Sequence, residues 1–210
     1  MNFKIAGVVA SLICAIGFAD EADATLINFD TDAGGAPLVA PALFIDAQPL
    51  TTLYSSLGAT WAGGGGILDS TTFSVAGFSS PNFLAYNSFA TFENGDPVLS
   101  SDTLTFSTPQ GTVSFLVGAP APFGDTFTAT AFDAAMNIVD IQQITLTPTL
   151  QLLTLSNPSI ASVSYSSEGA IFVVDNFDFQ VASQVSEPTS FAMLAFALVG
   201  LGFVARRRED

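Results

Sequence analysis

Ile171-Phe172-Val173-Val174-Asp175-Asn176-Phe177-Asp178-Phe179-Gln180-Val181 is the stretch from which the fold of this chain is read. β-Branched and aromatic residues dominate it, and neither Pro nor Gly interrupts it. Successive side chains alternate across a strand, so Ile171, Val173, Phe177, Phe179 and Val181 are predicted to share an apolar face. Asp175 falls on that face. A carboxylate among hydrophobic neighbours needs hydrogen bonds, a cation or a raised pKa. Two readings follow: a ligand to calcium, a hard cation served by oxygen donors, or an aspartate hydrogen-bonded at a bulge or sheet edge.

Similar runs lie upstream. Ile27 and Phe29 alternate in the first. Leu104 and Phe106 alternate with Thr103, Thr105 and Ser107, and Val113, Phe115 and Val117 follow after the turn residues Pro109-Gln110-Gly111. Then come Asp125 to Asp133, Ile138 to Leu146, Leu150 to Leu155 and Ile160 to Tyr165. Glu93-Asn94-Gly95-Asp96 signals a tight turn, because Asn and Gly accept positive φ cheaply. Asp30 to Pro49 is loop-rich. Thr, Ser, Val, Ile and Phe dominate, while the good helix formers Lys, Arg and Glu are nearly missing. Many short strands with frequent turns predict an all-β domain over residues 25–182, a two-sheet antiparallel β-sandwich large enough for one core.

Charge divides the chain sharply. All 4 basic residues, Lys4 and Arg206 to Arg208, lie at its two ends, and there is no His. Between Thr25 and Val185 stand 13 acidic residues with no Lys or Arg to offset them. Nucleic acid and anionic membrane surfaces both require a basic face and are excluded as partners. Neutral glycans and divalent cations are compatible with it, and so is plain solubility outside a cell.

The ends carry addresses. Met1 to Ala24 reads as a secretory signal peptide that engages the Sec translocon: Lys4, an apolar run from Ile5 to Phe18, then Ala22-Asp23-Ala24 as a small-x-small cleavage site. Cys14, the only cysteine, leaves with it, so the exported domain has neither disulfide nor thiol chemistry. Ala182 to Ser186 is a short linker, and residues 183–188 are assigned as the linker together with a short motif at its end. Residues 189–205 then carry no charge; as a helix they span about 25 Å at ~1.5 Å per residue, enough for a short transmembrane segment. Arg206, Arg207 and Arg208 follow as a stop-transfer cluster, and residues 206–210 are placed on the cytoplasmic side.

Ser186-Glu187-Pro188, the apolar helix from Phe191 to Ala205 and the terminal arginines together resemble the PEP-CTERM sorting signal of Gram-negative bacteria. Ser186 stands where that family usually has its first proline; Glu187 and Pro188 are kept. The resemblance implies cleavage by a membrane-embedded exosortase and delivery to the cell surface or the extracellular polysaccharide. Leu26-Ile27-Asn28-Phe29-Asp30, Leu53 to Trp61, Thr126 to Asp133 and Val174 to Phe179 are similar to strands of PEP-CTERM exported domains, which resemble carbohydrate-binding jelly rolls. Some of these hold a structural calcium between N- and C-terminal strands. Carried over, that implies Asp30 and Asp175 as a calcium pair, with Asp32 and Asp178 as further candidates.

Residue chemistry narrows the functions. Without His, Cys or Lys, residues 25–185 have no imidazole base, thiol nucleophile or Schiff-base amine, and no imidazole-centred metal site. Only a carboxylate pair is left for catalysis, and 13 acidic residues supply pairs by chance. Gly63 to Gly66 lacks the Lys of a phosphate loop and reads as a turn. For sugar stacking, Trp61 and Tyr54 lead, with Tyr86 and Tyr165 behind; each reads equally as core. The sequence therefore predicts a non-enzymatic structural or interaction protein of the cell surface or matrix. A calcium-stabilised carbohydrate-binding module is the alternative.

Overall fold

The structure is a computed structural model that describes residues 24–47, 50–62, 65–87, 101–120, 125–169 and 171–182. The predicted signal peptide, Gly63 and Gly64, the turn predicted at Glu93 to Asp96, the predicted transmembrane segment at 189–205 and the sorting motif lie outside them. Among the described residues there are nine strands: β1 (Ala24–Ile27), β2 (Ala59–Trp61), β3 (Gly66–Asp69), β4 (Asn82–Asn87), β5 (Ser101–Gly118), β6 (Thr126–Phe132), β7 (Ile138–Thr145), β8 (Gln151–Ser167) and β9 (Ile171–Val181). Every pairing between them is antiparallel, in the order β3-β4-β9-β5-β8-β6-β7, with β1 on β9 and β2 on β5.

The hydrogen-bonded network is continuous, yet two of its faces oppose each other. Phe172 on β9 and Phe127 on β6 are three pairings apart, which across a flat sheet is roughly 14 Å. Their ring centroids are 5.3 Å apart. The sheet is therefore folded over onto its own core. The fold line runs through β5 and β8, each of which passes from one face to the other. On β5, residues 104–106 pair with β2, whereas residues 110–118 pair with β9.

Bulges make that switch possible. The β5–β8 register slips between Thr105 and Gln110 and again before Thr112. Even residues Leu104 and Phe106 face the core before the slip, and odd residues Val113, Phe115 and Val117 face it afterwards. An extra residue reverses which face the following side chains take and bends the strand. Pro109-Gln110-Gly111, expected as a turn between two strands, is thus a bulge within one. Asn157-Pro158-Ser159 does the same in β8, carrying Leu153 and Leu155 on one side of it and Ile160 on the other into one core.

β9 spans the predicted residues, but its face assignment is corrected by a bulge at Asp175 and Asn176. The register with β5 slips between Ser114 and Leu116, and Asn176 has φ of 50°. Phe172 and Val174 face the main core before the slip, and Phe177 and Phe179 after it. Val173 faces a second, outer cluster with Phe44, Leu68, Phe83 and Leu150. Asp175 shares the side of Val173. It is not in the middle of the main apolar face, as strict alternation predicted.

β3 and β4 are not predicted from the sequence, whereas β2 forms the end of the strand-like Leu53 to Trp61 stretch. Close approach explains one glycine among them: a Cβ on Gly65 would stand 2.6 Å from Tyr86 Cζ and 2.7 Å from Leu84 Cδ1. The β6–β7 turn follows local polar chemistry. Asn137 Nδ2 donates to Asp133 Oδ2 at 2.9 Å, and Asp133 Oδ1 accepts the N–H groups of Asn137 and Ala135, each at 2.9 Å; these bonds, that of the Asn137 side chain foremost, hold its carboxyl below the usual range.

β7 and β8 then run back antiparallel, joined through side chains. Gln151 Nε2 donates to the Thr145 carbonyl (3.0 Å), the Ser156 N–H to Asp140 Oδ2 (2.8 Å) and Asn157 Nδ2 to the Val139 carbonyl (3.4 Å). These contacts cover an edge that would otherwise offer itself to another chain.

Candidate functional site

Asp175 is fully buried. The bulge turns its carboxylate toward the segment joining β3 to β4, where Ser79 meets it twice. The Ser79 N–H donates to Oδ2, and Ser79 Oγ lies 3.0 Å from Oδ2 and 3.2 Å from Oδ1. The Asn176 N–H donates to Oδ1 at 2.8 Å. Burial pushes the Asp175 carboxyl up to about 6; the Ser79 and Asn176 bonds pull it back, and the nearby Asp30 charge adds to the rise.

Asp30 joins the same network from the other side. Its Oδ1 accepts the Asn82 N–H at 2.9 Å, and Asn82 Nδ2 donates to the carbonyls of Phe29 and Leu38, both at 3.1 Å. Ser79 Oγ also lies 3.3 Å from the Asn28 carbonyl. Three separate stretches, residues 28–38, 79–82 and 175–176, are thereby laced together.

The implied calcium pair is thus brought together, but its surroundings do not suit the ion. Calcium takes 6–8 oxygen ligands at about 2.3–2.6 Å. Both oxygens of Asp175 face hydrogen-bond donors, as does Asp30 Oδ1. Asp32 is turned into its own loop, where Oδ1 accepts the N–H groups of Gly34 (2.8 Å) and Ala36 (2.9 Å). Asp178 lies beyond the bulge, paired in register with Leu26 and Ser114. Among the described residues no three acidic side chains converge as a metal site.

The aromatic candidates are packed inside. Trp61 is 3% and Tyr54 1% exposed, and Tyr86 and Tyr165 are likewise buried. Trp61 Nε1 donates to the Tyr165 hydroxyl at 2.9 Å, Tyr165 and Tyr86 share a short hydrogen bond, and the Tyr86 hydroxyl donates to Asp102 Oδ2 at 3.1 Å. Burial, with the Asp102 charge beside them, pushes both tyrosines well above their ordinary range, so they stay neutral donors. Tyr54 is pushed up by burial and by Asp32 and Asp30; its hydroxyl donates to the Thr31 carbonyl at 2.8 Å. Neither Trp61 nor Tyr54 offers a ring face to a sugar. The two residues were identified from side-chain type alone; their packing depends on strand order, which short motifs do not reveal.

A shallow groove does reach the surface. It holds about 340 Å³ and is lined by Leu38, Val39, Pro41, Asp46, Leu53 and Ile67 among others. Its wall is apolar with a single carboxylate, which provides contact but no pair of groups for proton transfer.

Among solved structures, the K2 adhesin domain of Lys-gingipain is 12% identical, with 75% of this chain and 99% of that one covered and a TM-score of 0.45. The CBM22-1 xylan-binding domain of Paenibacillus barcinonensis Xyn10C is 14% identical, covering 79% and 98%, with a TM-score of 0.40. A mutant of the family 29 carbohydrate-binding module CBM29-2 is 10% identical, covering 79% and 99%, with a TM-score of 0.39. Overlap this loose carries no conclusion about what the chain binds. No curated protein matches the sequence. The C-terminal residues are more specific: residues 184–208 match the family model of the PEP-CTERM protein-sorting motif, taking in Ser186, Glu187, Pro188 and Arg206 to Arg208. The chain is thereby one that carries a PEP-CTERM sorting signal, the mark of an exported protein processed at the membrane and sorted to the cell surface.

Proposed function

We propose that this chain is a non-enzymatic component of the cell surface or extracellular polysaccharide matrix, delivered by its tail and contributing a stable acidic β-domain. The signal peptide hands it to the Sec translocon, the segment at 189–205 holds it in the inner membrane, and an exosortase releases it near Glu187 and Pro188. The observation that carries the reading is the contrast between a specific sorting motif at residues 184–208 and a domain whose Trp and Tyr rings are turned inward. A carbohydrate-binding module of the stacking type exposes such rings. The absence of His, Cys and Lys from residues 25–185 supports a role without catalysis.

Co-sedimentation of the exported chain with polysaccharide from the same cells, with and without EDTA, separates the readings. The proposal predicts no saturable binding in either condition. Binding abolished by EDTA would overturn it in favour of the calcium-stabilised, jelly-roll carbohydrate-binding module, with Asp30 and Asp175 as the first residues to substitute.

A further inference from the structure

Strands β2, β5, β8, β6 and β7 are neighbours in that order, and their register defines an outer face. Phe127, Ala129 and Ala131 on β6 lie in the core, so Thr128, Thr130 and Phe132 point away from it. Residues paired across strands share a face. Thr130 therefore stands in a row with Ile141 on β7, Ser164 on β8 and Thr103 on β5. Thr128 and Ser166 pair in the row on one side, Phe132 and Ile138 in the row on the other. Ile138 and Ile141 point the same way although three residues apart, because the register with β6 slips and leaves Val139 as a bulge.

This face carries no charge. Its strands contain two acids, Asp102 and Asp140, and both take the core side: Asp102 pairs with Tyr165 and Asp140 with Ala131. Asp133 and Glu168 stand just past the ends of β6 and β8, at the rim. Ser101, Thr105 and Ser166 are exposed, as are Ile138 (58%) and Ile141 (49%). The outer face of β3, β4 and β9 differs, since Phe44 and Val75 pack over Leu68, Phe83 and Val173 there.

We propose that the uncharged face is where a second copy of this chain docks, sheet against sheet about a two-fold axis. Each copy carries 13 acidic residues between Thr25 and Val185 and no base, so copies repel and cannot pair through ions. A charge-free face is where they can meet. A two-fold contact must be self-complementary. Hydroxyls satisfy that condition, because each one both donates and accepts. Phe132, Ile138, Ile141 and Met136, in the turn after β6, add an apolar corner. An extended glycan is the other neutral partner, but the Trp and Tyr rings that stack on sugars are all in the core. Five strands by about six residues measure roughly 24 Å by 20 Å, or about 500 Å² per copy. About 1,000 Å² in all suits a reversible dimer and not a permanent one. The pairing is a property of the β-domain and does not depend on how the tail is processed.

Sedimentation of the full chain in neutral detergent micelles, from ~5 μM to ~500 μM protein, tests it. The wild type is expected to pass from monomer to dimer. Higher salt strengthens the dimer by screening the two acidic copies, whereas an ion-paired contact would weaken. Thr130→Asp and Ile141→Asp place like charges face to face and are expected to weaken the dimer at least about 100-fold. Val39→Asp adds the same charge at a 97% exposed position in the groove beside β3 and leaves the dimer intact. Trp61 fluorescence confirms that each variant is folded; should Thr130→Asp fail to fold, Ile141→Asp decides. A wild type that stays monomeric throughout overturns the proposal. So does association that survives the face substitutions, as contact through the tail would, or association lost equally in Val39→Asp.

Discussion

Phe177→Ala is expected to lower the stability of the β-domain by about 3–5 kcal/mol, measured as a shift in the urea midpoint of Trp61 fluorescence. Phe177 is fully buried where the two opposed faces meet. Its ring centroid lies 4.6 Å from that of Phe115, 5.6 Å from Trp61, 6.0 Å from Tyr165 and 6.2 Å from Phe29. Those partners come from β5, β2, β8 and the turn after β1, so the ring sits where four segments converge. Removing it loses both the transfer of an aromatic side chain and the packing of four surrounding rings, which cannot all move inward together. A domain of ordinary stability holds only about 5–15 kcal/mol, so the variant is near the limit of folding at all. Ile141→Ala on β7, where the side chain is half exposed, is the matched control and is expected to cost under about 0.5 kcal/mol. A loss below about 1 kcal/mol for Phe177→Ala would mean that the two faces do not close on this ring.

Tyr165→Phe is expected to cost about 2 kcal/mol although it deletes one oxygen atom. That oxygen accepts the Trp61 Nε1–H and pairs with the Tyr86 hydroxyl inside the core. Tyr86 keeps Asp102 as an acceptor, but Trp61 is left with a buried N–H and no partner on Tyr165. The phenyl ring still packs against Phe115, Phe127 and Phe172, so the loss reports the hydrogen bond and not a cavity. Urea midpoints followed by far-ultraviolet circular dichroism, which needs no tryptophan, measure it in the wild type and Tyr165→Phe, and the single Trp61→Phe and the double substitution complete the cycle that separates the pair. The two losses are expected to be non-additive, because Trp61→Phe removes the orphaned donor. Additive losses would show that Trp61 and Tyr165 are not coupled.

The parts of the fold legible in the sequence were those with uninterrupted alternation. β6, β7 and β9 stand where the runs from Asp125, Ile138 and Ile171 predicted them. β5 and β8 were each read as two strands because a bulge and a turn leave the same trace in a single sequence. Both break the period of two, and both attract Pro, Gly and Asn. Only the pairing partner tells them apart: β8 continues alongside β5 past Pro109-Gln110-Gly111 instead of turning back. β2 and β3 are three and four residues long, too short for alternation to show.

At the candidate site, sequence singled out Asp175 for the right reason and placed it on the wrong face, since a bulge at Asn176 cannot be read from period alone. Of the two readings left open, the hydrogen-bonded aspartate at a bulge describes its surroundings. Ser79, its main partner, was invisible, lying 96 positions away with no motif around it. The sorting signal needed no fold at all to be found. Its information is local and ordered along the chain, whereas a packed network depends on which strands become neighbours.

The claim on which the account rests is that the tail, and not a binding site on the domain, decides where this protein acts. Intact-mass measurement of the protein recovered from the cell surface tests it most directly. The account predicts a mass corresponding to a chain that ends near Glu187 and Pro188 and lacks Arg206, Arg207 and Arg208. A surface-recovered protein that still carries those three arginines would contradict it, leaving residues 189–205 as a permanent anchor.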